Sequence, residues 1–196
     1  MKKGVIILIV VAVVVLGIFM WVKSTYNGLV TKQESVESAW SQVENVYQRR
    51  ADLIPNLVNT VKGYAAHEKE TLEGVVSARA KATQMTIDPT NLTPEAIEKF
   101  QAAQGELGSA LGKLLAITEN YPDLKANENF KELQAQLEGT ENRIAVERKK
   151  FNETAQVYNT SIRKFPRSIV ASMFGFERKP YFKAQEGAEQ APTVQF

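Results

Sequence analysis

The stretch VESAWSQVENVYQRRADLIPNLVNTVKGYA, residues 36–65, decides how this chain folds. Its apolar positions are Val36, Trp40, Val43, Tyr47, Ala51, Ile54, Val58, Val61 and Ala65, the mixed three-and-four spacing of one face of an α-helix. One place breaks the alternation: the steps from Val43 to Tyr47 and from Tyr47 to Ala51 are both fours, a stutter in the heptad. A second row with the same doubled four runs through Leu133, Leu137, Thr140, Ile144, Arg148, Phe151, Ala155, Tyr158 and Ile162. Helices with matching stutters stay in register, because each drifts about its axis by the same amount at the same height. Since the slip falls at the same place in each series, the two helices are expected to lie parallel.

Toward the N-terminus, Gly4 to Val22 reads GVIILIVVAVVVLGIFMWV, uncharged throughout and bracketed by Lys2, Lys3 and Lys23. That run meets the requirement of roughly 18 or more apolar residues for a bilayer span. A cleaved secretory signal has a shorter core, about 7–15 residues, followed by small residues. Here the run ends in Phe19, Met20, Trp21 and Val22, and Trp21 and Tyr26 stand where aromatic side chains favour the headgroup level. A retained anchor in contact with the lipid bilayer through residues 4–22 is therefore expected. The lysine count, Lys2 and Lys3 against Lys23 and Lys32, tilts toward a cytoplasmic N-terminus and an exported remainder.

Beyond the anchor the pattern is helical almost everywhere. Lys23 to about Met85 is interrupted only by Pro55 and the isolated Gly28, Gly63 and Gly74, so one very long helix is predicted, bent at Pro55. Asp88-Pro89 stops it. Thr93-Pro94-Glu95 starts a second helix, with Thr93 as N-cap and Pro94 where its missing N–H costs nothing, running to about Thr118 or Glu119. Asn120-Tyr121-Pro122-Asp123 makes a turn, and a third helix spans about Asn129 to Lys164, closed by Pro166. A short fourth, Ser168 to Phe174, ends at Gly175. The fold class is all-α: an N-terminal transmembrane helix, then an elongated up-down-up helical bundle with a short fourth helix. The division is a flank at 1–3, the span at 4–22, the bundle at 23–182 and a tail of Gln, Glu, Ala, Gly and Pro at 183–196.

Composition narrows the function. A net charge of +2 gives no field that implies nucleic acid. Cysteine is absent and His67 is the single histidine, so disulfides, thiolate zinc sites and cysteine nucleophiles are excluded and a histidine-based metal site or triad has one candidate member. His67, in Ala66-His67-Glu68-Lys69-Glu70, reads as a surface residue. The acidic residues lie scattered on helical faces with no shared cleft. No catalytic residue, cofactor, metal or small-molecule substrate is expected.

Three local features stand out. Arg148 interrupts the second apolar row, and in a parallel pairing it falls beside Ala51 and near Asp52, an ion pair weighed against a side chain that snorkels to water. Gly105, Gly108 and Gly112 share a helical spacing, and their cost in a helix interior favours close approach of a neighbouring helix over a merely weak helix. Phe165 to Phe182 gathers Ile169, Val170, Met173, Phe174, Phe176, Tyr181 and Phe182 with Arg163, Lys164, Arg167, Arg178 and Lys179. Basic residues among aromatics resemble an interfacial helix. An up-down-up path, however, puts them at the far end of the bundle, where capping the core ranks ahead of a protein or self-assembly contact through Ile169, Met173, Phe174 and Phe176, and that ahead of a second membrane. The tail ends in Pro192-Thr193-Val194-Gln195-Phe196; an end that touches nothing is the default, and capture of the Phe196 carboxylate at a sheet edge the alternative.

RRADLIPNLV from Arg49 to Val58, with Asp52 and Pro55 at its centre, and YAAHEKETL from Tyr64 to Leu72 resemble the LemA family. LLAITENYPDLKAN at 114–127, ENRIAVERKKFN at 141–152 (with Arg148) and YNTSIRKFP at 158–166 resemble its other signature stretches, in order, up to about Phe182. The resemblance implies a bacterial single-pass protein of the cell (inner) membrane with a helical-bundle domain and no established enzymatic activity. Two roles follow as expectations. One is a non-enzymatic, membrane-anchored interaction scaffold, or a self-assembling envelope protein with a homo-oligomeric or protein partner. The other is an envelope-stress or membrane-remodelling accessory that presents partners to a membrane protease.

Overall fold

A computed structural model describes residues 2–183, and every described regular element is a helix. They are α1 (Lys2–Tyr64), α2 (Lys69–Gln84), α3 (Pro94–Thr118), α4 (Pro122–Ala126), α5 (Glu128–Arg163) and α6 (Arg167–Met173). The all-α class and the long apolar N-terminal helix are as expected. Thr93 accepts from the Ala96 N–H at 3.1 Å and Asn127 from the Phe130 N–H at 3.0 Å, so side-chain caps start α3 and α5. Gly175, at φ 71, takes the left-handed conformation that ends α6 without a Cβ penalty, and the Phe176 N–H bonds back to the Ala171 carbonyl at 2.9 Å.

The first expectation to fail is the single helix from Lys23 to Met85. The chain breaks after Tyr64 and α2 folds back along α1, where the Arg79 Nε–H donates to the Ala51 carbonyl at 2.7 Å. Leu72, Val75, Ala78 and Ala82 thereby enter the same apolar cluster as Ile54, Leu57, Val58 and Val61. Gly63 is the one hint in the sequence, since no proline and no side-chain cap marks the start of α2. Tertiary contacts hold the turn: Tyr121 Oη donates to Glu68 at 2.9 Å, and the Asn127 amide donates to Tyr64 Oη at 3.0 Å. Pro55 lies exposed within an uninterrupted helix. Its missing N–H leaves the Ala51 carbonyl without a helical donor, and the Arg79 guanidinium of α2 fills that vacancy.

The extra hairpin reverses every later direction. With α1 running out, α2 back and α3 out again, α5 returns, so α1 and α5 are antiparallel and not parallel. Tyr64 meets Asn127, Arg50 meets Glu141 at 3.0 Å, and Trp40 meets Phe151 with ring centroids 5.6 Å apart. The apolar rows themselves hold: all nine positions of the first are buried, and in the second only Leu133 and Arg148 are half-exposed. Direction failed because the seven positions centred on each stutter read the same backwards. From Val36 to Val58 the steps are 4, 3, 4, 4, 3, 4 about Tyr47, and from Leu133 to Ala155 they are 4, 3, 4, 4, 3, 4 about Ile144. A palindromic stutter matches its partner in either orientation.

Candidate functional site

The bundle core divides into two clusters. Near the anchor, Leu29, Val36, Trp40, Val43, Tyr47, Phe100, Ile144, Phe151, Tyr158 and Phe182 form an aromatic-rich cluster. Farther out, Ile54, Leu57, Val61, Leu72, Val75, Leu107, Leu114, Leu124 and Phe130 form an aliphatic one. Arg50 sits at the join, 4% exposed. It donates to Glu141 of α5 at 3.0 Å, and to the Gln104 side chain and backbone carbonyl of α3 at 2.6 and 3.2 Å. The Gln104 amide in turn donates to the Ala82 carbonyl of α2 at 3.4 Å. One polar layer thus ties α1, α2, α3 and α5 together at the stutter, and the Arg50 guanidinium also covers the Tyr47 ring at 5.1 Å. Burial pushes the Tyr47 hydroxyl pKa up, against the lowering effect of Arg148 and Arg50.

Sequence reasoning gave Arg50 no role and paired Arg148 with Asp52. Arg49 is exposed, and Asp52 is exposed and accepts from Gln48 at 2.7 Å, one helical turn away. Arg148 does not reach Asp52. It donates to the Lys183 carbonyl at 2.9 Å and covers the Phe182 ring at 4.8 Å. The helical phase could have found Arg50: it precedes the buried Ala51 and is three residues from the buried Tyr47, on the flank of the same face.

From Lys179 to Lys183 the chain forms an extended strap along α5. Two asparagines hold it, each using both ends of its amide as a peptide group would. Asn159 donates to the Lys179 carbonyl at 2.8 Å and accepts its N–H at 2.9 Å; Asn152 does the same for Phe182 at 3.1 and 2.9 Å. Phe182 is buried, stacked on Trp40 at 5.6 Å and edge-on to Phe151 at 5.4 Å. Gln101 of α3 donates to the Lys183 carbonyl at 3.2 Å, so the strap bridges α3 and α5 in the half nearest the anchor.

Farther along α3 and α5, the described residues leave that interval unfilled. Gly105, Gly108 and Gly112 of α3 face Gln134, Leu137, Glu138 and Glu141 of α5 across a groove of about 470 Å³, with Arg50 and Gln104 at one end. A Cβ placed on any of the three glycines would meet nothing within 4 Å. The expected close helix contact there is not made; the glycines line a channel.

The Phe165–Phe182 stretch is also displaced from its expected position. Because α5 returns, α6 lies at the anchor end of the bundle: Phe174 and Phe176 pack on Tyr26, with ring centroids 4.8 and 5.6 Å apart. Val170 and Ala171 are buried, whereas Phe165, Ile169, Met173 and Phe174 are exposed. Trp21 and Tyr26 are partly exposed, and the large apolar side chains from Val5 to Met20 are all exposed. One window within Lys3–Tyr64 is long and apolar enough to cross a membrane. Phe196 lies outside the described residues. Among the described residues no three His, Asp or Glu side chains converge as a metal site, and His67 is exposed.

A helical bundle raised on an apolar helix defines a class of membrane-associated helical proteins. The chain belongs to the LemA family, whose profile matches residues 39–196. It is 30% identical to magnetosome protein MamQ of Magnetospirillum gryphiswaldense, over 86% of this chain and 68% of that one. It is 29% identical to magnetosome protein MamQ 2 of Paramagnetospirillum magneticum, with the same coverage. To protein LemA of Metamycoplasma hominis it is 25% identical, over 89% of this chain and 76% of that one.

Proposed function

We propose that this chain is a non-enzymatic interaction scaffold of the bacterial inner membrane, anchored through residues 4–22 with its bundle on the exported side, and that the glycine-lined groove between α3 and α5 receives an apolar peptide segment of a protein partner. The groove itself carries this reading. Three glycines in one helix sacrifice roughly 1 kcal/mol each against alanine, yet among the described residues no neighbouring backbone uses the space. Leu111, Leu115 and Leu137 supply an apolar lining, and Arg50, Gln104 and Glu141 supply fixed polar groups at one end, the composition of a groove that takes a peptide by its side chains.

A photo-crosslinking residue in place of Ser109, on the groove wall, tests it in intact cells. The expected product is one discrete adduct, to another protein or to a second copy of this chain, that persists in Gly108→Ala and disappears in Gly108→Trp while the bundle stays folded. An adduct unaffected by the tryptophan, or none at all, sinks the idea. The alternative, a membrane-remodelling accessory, draws on a different observation: the basic and apolar surface at the anchor end of the bundle.

A further inference from the structure

We propose that α6 and its flanking residues form a second lipid contact, seated on the same membrane that holds the anchor, and that a cluster of cations beside it binds the phosphate of anionic phospholipid headgroups. Height carries the first half. Tyr26 follows Val22 by about 6 Å of helix rise, which lies within the headgroup layer of roughly 5–7 Å on each side of the hydrocarbon. Phe174 and Phe176 pack directly on Tyr26, so α6 stands at that level. The bundle core reaches equally low, with Thr25 and Leu29 already buried.

Chemistry carries the second half. On α6 the buried Val170 and Ala171 face the bundle, while Ile169 and Met173, one helical turn apart, are exposed away from them, and Phe165, two residues ahead of the helix, is exposed as well. Ile169, Met173 and Phe165 are 55%, 62% and 82% exposed, a surface that water does not favour. Between residues 163 and 179 five cations, Arg163, Lys164, Arg167, Arg178 and Lys179, flank these apolar residues in the chain against Glu177 alone. Among the described residues none of the five forms an ion pair, and neither do Lys23 and Lys32. Lys32, Lys164 and Arg167 line one depression of about 330 Å³ with Gln156, Thr160 and Ser161; Lys32 follows Val22 by about 15 Å of helix rise, so these long side chains meet a lipid phosphate by reaching down toward the headgroups. Three cations with hydroxyl and amide groups around a space of that size suit a phosphodiester. Exposed apolar residues flanked by arginine and lysine, next to a membrane span, suit the boundary between acyl chains and anionic headgroups. This inference does not depend on the groove between α3 and α5.

The natural absence of cysteine makes the test clean. Full-length Ile169→Cys, Met173→Cys and the control Val146→Cys are spin-labelled in nanodiscs of phosphatidylcholine, with and without phosphatidylglycerol. Labels at 169 and 173 are expected to be protected from a water-soluble relaxant and open to oxygen, and to move deeper as phosphatidylglycerol is added; the label at 146, on the exposed outer face of α5, stays in water. Lys164→Gln and Arg167→Gln should each raise the phosphatidylglycerol fraction needed for half the shift about five-fold. Labels at 169 and 173 as accessible as the label at 146 in both lipids overturn the lipid contact. Millimolar inorganic phosphate abolishing the shift, or the two glutamine variants leaving the midpoint unchanged, overturns the headgroup assignment.

Discussion

The two halves of the bundle share α1, α3 and α5, with α2 confined to the outer half, and fill the space between α3 and α5 differently. In the half nearest the anchor the strap occupies that space, and Phe182 completes an aromatic cluster with Trp40, Phe100 and Phe151. In the outer half, past the Arg50 layer, the core is built of leucine, isoleucine, valine and alanine with Phe130 among them, and glycine replaces side chains on the matching face of α3. The same frame is sealed at one end and open at the other. The lesson is that a seven-residue apolar pattern sets which faces meet, while side-chain volume and a short extended segment decide whether two of those faces close.

The contrast breaks most severely at Phe182. Phe182→Ala should cost about 3 kcal/mol, because a fully buried ring is lost from a site whose neighbours cannot collapse into it. In a Trp21→Phe background the emission of Trp40 should shift to the red in the native state, since water reaches the indole; an unchanged spectrum and melting temperature would mean that the strap is incidental.

Arg50→Ala should cost about 2 kcal/mol, since Gln104 and Glu141 lose their common donor at the boundary of the two cores. If the layer couples the halves, thermal melting followed by Trp40 fluorescence and by far-ultraviolet circular dichroism should separate into two transitions in the variant. A single coincident transition would show that the apolar rows alone make the bundle cooperative.

Tyr158 sharpens the comparison least. Its hydroxyl is buried without a hydrogen-bond partner, and burial, reinforced by Glu177 and Glu37, pushes its pKa up to about 12. The folded state therefore keeps the proton at pH values where the unfolded tyrosine has lost it. Its contribution is intact below about pH 10 and is lost as pH rises toward 12, by up to about 2 kcal/mol. Tyr158→Phe should raise stability by about 1 kcal/mol at neutral pH and flatten the alkaline limb in denaturant titrations; an unchanged limb would place the hydroxyl in contact with water.

Much of this was legible in the residues. The run from Gly4 to Val22 shows by length and lack of charge that it is apolar enough to cross a membrane, and the cap at Thr93 and the glycine stop at Gly175 follow from local chemistry, whereas the cap at Asn127 was not read. The apolar rows named most of the buried positions on α1 and α5 because helical periodicity is a property of the chain alone. The polar layer was missed, because Arg50 lies on the flank of the apolar face and its partners Gln104 and Glu141 belong to segments far away in the chain.

What the chain could not state about itself was direction. A break at residues 65–68 without proline or side-chain cap is decided by the packing gained when α2 folds onto α1, and that gain is invisible to local pattern. A stutter that reads the same both ways fits a parallel and an antiparallel partner equally, so only the count of hairpins settles which is built. From that one reversal follow the position of α6 beside Tyr26, the strap against Trp40 and the open glycine channel. The sequence by itself determined which residues are buried and where the chain can cross lipid, because both depend on periodicity and transfer free energy; the tertiary structure decided which ends meet, because that depends on contacts between segments far apart in the chain.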